Sequence, residues 1–337
     1  MPDANAPQVA LSPTEAARAQ ALHERSIVVL AHDHLYGPED VAAMRQGGVT
    51  AKVVKLTVDS IVWDAEGRRV SIDTLEGWTK RGLATMDAVH RFVEAHPGEV
   101  MIVRGVADIL TAKQQGMTGL ILSFEGPRPI EGSLEILRTF YRLGLRELQL
   151  TWAAPNQLIT DWRLNELGQA VVQEMNRVGM LIDLSHLQDA AFWQVLELSQ
   201  QPVIVSHTAC YAVSGKGDTL TDEKIRALAA RGGVIGLHFV SGDYITPRHG
   251  TTQAILDDLI DHIDHIRSLV GIDTVALGGD YFLTAPDDTW AWVKEVEHIS
   301  LMPNLTRGLV KRGYTDEEIE KVLSGNLLRL FRQVWRE

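Results

Sequence analysis

Cysteine is almost missing: the chain has one, Cys210. No intrachain disulfide can form, so the fold does not depend on an oxidising compartment. The same scarcity excludes cysteine-rich zinc and iron–sulfur sites, and Cys210 itself reads as a buried, inert thiol. Cations are in deficit as well. Lys and Arg number 32 against 44 Asp and Glu, a formal net charge of −12. Binding to phosphates needs clustered Lys and Arg, so nucleic acid is excluded as the main partner. Long apolar runs are absent. None reaches the roughly 20 residues of a membrane span. The opening MPDANAPQVALSPTEAARAQ has no basic stretch followed by an apolar one. No signal peptide and no membrane contact are expected, and the expected location is cytoplasmic. No linker, repeat or low-complexity segment divides the chain. Residues 1–25 read as an arm and a short helix, and residues 26–337 as a single domain.

What is present is an ordinary globular mix, 45% hydrophobic and 23% charged in 337 residues, enough to bury a sizeable core. Ser12-Pro13-Thr14-Glu15 has the form of a capping box with proline at the first helical position, which predicts a helix over 13–24. Short apolar runs then alternate with amphipathic segments. The runs cover 27–32, 49–58, 100–104, 118–124, 145–151, 180–185, 202–206, 234–239 and 274–278. Most are rich in Val, Ile and Leu without polar alternation, as strands covered on both faces are. Helical patterns lie between them, among them 131–143, 165–178, 188–199, 222–231 and 252–268, and a second capping box at Thr315 precedes a final helix over 326–335. Strand–helix alternation of this kind predicts a parallel α/β sheet, here a (β/α)₈ TIM-type barrel with extra N-terminal and C-terminal helices. Nine runs are one too many for eight strands. The run at 100–104 is either an extra strand or a barrel strand with a shifted partner.

The residues that end the runs carry the chemistry. The first run leads into His32-Asp33-His34, and later ones end in Glu125, His186, His207 and Asp280. In a barrel, the carboxyl ends of different strands converge on one mouth, where active sites sit. Residues i and i+2 of a strand face the same way, so His32 and His34 can grip one ion while Asp33 points away. Imidazole and carboxylate suit Zn²⁺ and its neighbours. Glu125 has two oxygens and can bridge two ions. A two-metal site lowers the pKa of a bound water to about 7, and Asp280 can take that water's proton and pass it to a leaving group. His238 also follows a strand and is a candidate to line the mouth. His262 and His265, with Asp258, Asp261 and Asp264 on one helical stretch, read as a solvated face.

The motifs LAHDHL at 30–35, LSFEG at 122–126, LIDLSH at 181–186, IVSHT at 204–208, LTDEKI at 220–225, VALGGD at 275–280 and LSGNLLRLF at 323–331 resemble, in order, those of the membrane (renal) dipeptidase family of metal-dependent hydrolases. The resemblance covers about 26–336. It implies a barrel, a homodimer and two zinc ions per chain bridged by a glutamate. By position, His32 and His34 would hold one ion, His186 and His207 the other, and Glu125 both. Three departures bear on the substrate. His34 stands where the family usually has an aspartate, which makes the site more cationic. Trp152, in LTWAAPN, stands where the family has a histidine that contacts the reacting carbonyl. Asp218, eleven residues past His207, stands where the dipeptidases have an arginine for the substrate carboxylate. Asp280-Tyr281-Phe282-Leu283 also replaces the usual Asp-Phe-Asp-Gly. Together these imply a metal-dependent hydrolase that acts on an amide-type bond of a small molecule, with Trp152, Asp218 and His238 as substrate contacts and an altered clamp. The alternative is a metal-stabilised small-molecule binding protein with little catalysis.

Overall fold

The computed structural model describes residues 9–35, 37–58, 62–63, 69–70, 77–152, 156–282 and 290–336. Eight parallel strands close on themselves. They are β1 Val29–Asp33, β2 Ala51–Val58, β3 Thr118–Glu125, β4 Leu145–Gln149, β5 Leu181–Asp183, β6 Ile204–Thr208, β7 Val234–Leu237 and β8 Val275–Leu277. Each pairs with its sequence neighbour, and β8 pairs with β1 through Leu277 and Leu30, so the barrel closes. The ninth run is an extra strand, Val100–Ile102, alongside the first residues of β3; β4 takes over that edge of β3 from Leu122 onward. One edge thus serves two partners in succession, which is how nine runs serve eight barrel strands.

The strands are apolar throughout because both faces are covered. Outward residues such as Leu30, Leu120, Leu148 and Leu237 pack under the helices. Inward residues near the strand starts, including Val29, Ala51, Leu181, Ile204, Val234 and Ala276, cluster with Leu327, Leu330 and Phe331 of the last helix, Asn326–Val334. That helix closes the lower end of the barrel with side chains instead of leaving a pore. The N-terminal helix Pro13–Arg25 has the expected capping box at Ser12 and Glu15. It is fastened to the C-terminal helices: Arg18 and Arg25 both pair with Asp316 at 2.7 Å. The first eight residues of the expected arm lie outside the described residues.

The solvated face expected around His262 and His265 is a correction. Both lie on helix Leu256–Val270, but His262 and Asp258 are buried. His262 Nδ1 accepts the Cys210 backbone N–H at 3.0 Å, and His265 pairs with Asp222 at 2.7 Å. A 3.6-residue period shows that one face is polar; it does not show that a buried loop arrives to use that face. Cys210 is buried as expected, and burial pushes its thiol pKa up. Among the described residues, no helix is long and apolar enough to cross a membrane.

Candidate metal centre

The upper ends of the strands are irregular where the site begins. Register breaks fall between Leu30 and Asp33 in the β1–β2 pairing, between Lys55 and Val58 in β2–β3, and between Val205 and Thr208 in β6–β7. Such bulges re-aim side chains next to functional sites. Two site residues also have left-handed backbone, His186 at φ 61° and Asp280 at φ 51°. Neither is glycine, and such conformations persist only where the surroundings fix them.

Six side chains from five strand ends converge. His32, His186 and His207 present Nε2 to Glu125 Oε1 at 3.7, 3.7 and 3.9 Å, and His34 Nε2 lies 4.0 Å from Glu125 Oε2. Asp280 Oδ1 lies 3.3 Å from His32 Nε2 and 3.1 Å from His34 Nε2. His32, Glu125 and His207 form one group of donor atoms within 4.8 Å of one another; His32, His34 and Asp280 form a second. His32 belongs to both groups, and Asp280 is a member rather than a bystander.

The chemistry of this donor set fits a metal. His32 Nε2 is buried and has no hydrogen-bond partner among the described residues. His186 and His207 bring their Nε2 atoms to 2.9 Å of each other. Burial, with His32 and His186 alongside, holds the His207 pKa well below the ordinary imidazole range. Burial would raise the Asp280 carboxyl pKa, but His32, His238 and His34 override it and keep the group ionised. Two carboxylates ringed by four imidazoles, Glu125 and Asp280 among His32, His34, His186 and His207, are a donor set that suits a divalent cation.

The profile of the membrane dipeptidase family, peptidase family M19, matches residues 19–336. The chain belongs to this family. Dipeptidase 3 of Rattus norvegicus is 31% identical over 319 residues, which are 90% of this chain and 60% of the relative. Dipeptidase 3 of Mus musculus is 35% identical over 268 residues, 75% of this chain and 51% of the relative. The chain therefore spans little more than half the length of these curated relatives. Among solved structures, an amidohydrolase from Pseudomonas aeruginosa superposes with a TM-score of 0.83 at 24% identity, covering 95% of this chain and 99% of that one. A metallo peptidase from Rhodobacter sphaeroides, liganded with a phosphinate mimic of the dipeptide L-Ala-D-Ala, gives 0.77 at 21% identity, covering 92% and 100%. At these identities the structures establish a shared barrel fold.

Around the centre of this membrane dipeptidase family member, the other expected residues divide. Trp152 lies at the mouth, its ring 5.8 Å from that of His186; residues 153–155 of its loop, and Leu283 beyond Phe282, lie outside the described residues. Asp218 is exposed, but its charge reaches Tyr244, whose ring stacks on His238 at 4.0 Å. His238 is placed differently from a substrate contact. Its Nε2 lies 3.2 Å from Asp280 Oδ2, and its Nδ1 accepts the Val240 N–H at 3.1 Å. Both nitrogens are engaged and one ring face is covered, so it stands as a support that aims Asp280. Asp33 points away from the centre, as expected: it pairs with buried Lys52 at 2.9 Å and accepts the Tyr281 N–H at 2.9 Å.

Sequence reasoning missed Tyr244 and a polar layer inside the barrel just below the centre. There Lys55 reaches Glu147 at 2.7 Å and Asp183 at 3.0 Å, all three fully enclosed. Ser123, Ser185 and Ser206 complete the layer. The available signal was Lys55 inside an apolar strand, since a buried lysine demands an acid nearby.

Proposed function

We propose that this chain is a metal-dependent hydrolase of an amide-type bond in a small, dipeptide-like molecule. The observation that carries the reading is the convergence of four histidines, Glu125 and Asp280 at the barrel mouth, around a buried His32 Nε2 that has no hydrogen-bond partner among the described residues. In this reading His32, His34, Glu125, His186 and His207 hold one or two divalent ions, with zinc the best match to imidazole and carboxylate. When bound, the metal polarises the scissile carbonyl and acidifies a water.

The chain's own residues supply the rest. Asp280 is fixed from two sides, by His238 at one oxygen and by His34 at the other. A carboxylate held at that point accepts the proton of the attacking water and returns it to the departing amine. His238 takes no proton in this scheme: its Nδ1 accepts a backbone N–H, so the ring hydrogen sits on Nε2 and points at Asp280.

The substrate clamp is the altered part. In this reading the aromatic face of Trp152, beside His186, and the exposed carboxylate of Asp218 would serve the substrate where a dipeptide's free carboxylate would need a cation. Charge pairing and cation–π attraction, worth roughly 0.5–2 kcal/mol, favour a substrate with a cationic group near the reacting bond. The relatives' name and the phosphinate mimic in the Rhodobacter neighbour support a dipeptide-sized substrate. The homodimer and the cytoplasmic location expected from the sequence are proposals too, tested by particle mass in solution and by cell fractionation. The functional test is a panel of small amides with matched cationic, neutral and carboxylate-bearing members. Turnover that depends on divalent metal supports the proposal, and metal-replete protein that turns over none of the panel refutes it.

A further inference from the structure

Ser206 lies on β6, fully buried, one residue before His207. Its Oγ is 2.6 Å from Asp183 Oδ2, 3.0 Å from His32 Nδ1 and 3.1 Å from His207 Nδ1. We propose that Ser206 is a positioning residue whose single hydroxyl sets the tautomers of His32 and His207 together and so aims both Nε2 lone pairs at the metal centre. The inference rests on the metal-binding reading above.

Counting hydrogens makes the case. Asp183 is paired with Lys55 and held ionised: burial raises its pKa, but Lys55 and Ser206 outweigh that and bring it to about 2. A carboxylate only accepts, so the Ser206 hydroxyl hydrogen goes to Asp183. Ser185 Oγ is also near, at 3.1 Å, but its own hydrogen goes to Asp183 Oδ1 at 2.8 Å and its oxygen accepts the Ser206 N–H at 2.9 Å. It therefore neither gives to nor takes from the Ser206 hydroxyl. Two lone pairs remain on Ser206 Oγ, and two imidazole Nδ1 atoms face them. Both rings must donate from Nδ1, which leaves both Nε2 atoms bare. His32 Nε2, 3.3 Å from Asp280 Oδ1, accordingly has no hydrogen-bond partner among the described residues. It also assigns the hydrogen in the close His186–His207 contact to His186 in the metal-free protein.

The Ser206 backbone is closely packed by β7 and the end of β8. A Cβ at Gly236 or Gly278 would lie 1.9 or 2.0 Å from the Ser206 carbonyl oxygen, so β7 and β8 approach Ser206 as only glycine allows. Oxygen partners that fix a ligand histidine's tautomer typically change metal affinity 10–100-fold; here one oxygen serves two rings.

The test is nitrogen-15 NMR of the metal-free full chain labelled at histidine, with His32 and His207 assigned by single replacement with Gln. Both rings are expected as neutral Nδ1–H tautomers. In Ser206→Ala, at least one should shift to a mixture or to Nε2–H, and zinc affinity by chelator competition should fall about 10–100-fold. A Nε2–H tautomer at either histidine in the wild type overturns the inference, and this reading needs no variant to fold. Unchanged tautomers and affinity in Ser206→Ala overturn it as well. If added zinc leaves both Nε2 resonances in place while the tautomers are as stated, the metal reading fails and the tautomer assignment stands.

Discussion

Glu147 lies inside the barrel with no exposure, and its Oε2 has no hydrogen-bond partner among the described residues. Burial, with Asp183 adding to it and Lys55 opposing, pushes its carboxyl pKa up to about 7. An unfolded chain titrates this group near 4.3, so the folded state binds the proton more tightly. Its contribution to stability is complete below about pH 4 and is lost as pH rises through about 7. At about 1.36 kcal/mol per pH unit the whole interval is worth about 3–4 kcal/mol, and about 2–3 kcal/mol of it falls between pH 5 and 8. Glu147→Gln keeps the shape and the acceptor toward Lys55 but cannot ionise. Its new N–H₂ group at the Oε2 position adds a cost that does not vary with pH. Urea denaturation of both proteins, treated with chelator, at pH 5, 6, 7 and 8 isolates this group, because every other titration is common to the two. The variant should gain on the wild type by about 2–3 kcal/mol across that range. A difference that stays flat with pH would refute a carboxyl that titrates in the folded barrel near neutrality.

Asp280→Asn should lower turnover roughly 10²–10⁴-fold; near-normal turnover on the best substrate would move the proton-transfer role elsewhere. Because Asp280 stands among the donor atoms, metal content of that variant is measured alongside. Replacing His186 and His207 together by Ala should remove one ion and leave a folded protein, read by elemental analysis and thermal melting; two ions retained would show that these histidines are not ligands. Asp218→Arg should shift preference from cationic toward carboxylate-bearing substrates, and an unchanged ratio of kcat/KM between the two classes would remove Asp218 from the clamp.

The barrel was legible because parallel strands covered on both faces leave continuous apolar runs, and five of the six residues now gathered at the mouth were read off directly as metal ligands. Asp280 was read as a base; its place among the donors depends on the left-handed turn at φ 51°, which no residue type announces. The ninth run was ambiguous because Val100–Ile102 has the composition of a barrel strand, and only the length of β3 shows that one edge can take two partners. Ser206 stands inside the IVSHT motif, but its role comes from His32 and Asp183, which lie far away in sequence. Lys55, Glu147 and Asp183 were hidden for the same reason: each is one polar residue in an apolar strand, and the pairing exists only across strands. His262 was misassigned because helix periodicity does not reveal a loop that docks on the polar face.

In the proposed function, metal held at this barrel mouth drives hydrolysis of a small amide. The most direct measurement is a zinc titration of chelator-stripped protein with hydrolysis of the best panel substrate followed at each addition. Hydrolysis should be absent without metal and should saturate at one to two equivalents, in step with binding. Hydrolysis that persists in the stripped protein, or saturated binding without hydrolysis of any panel member, would contradict it.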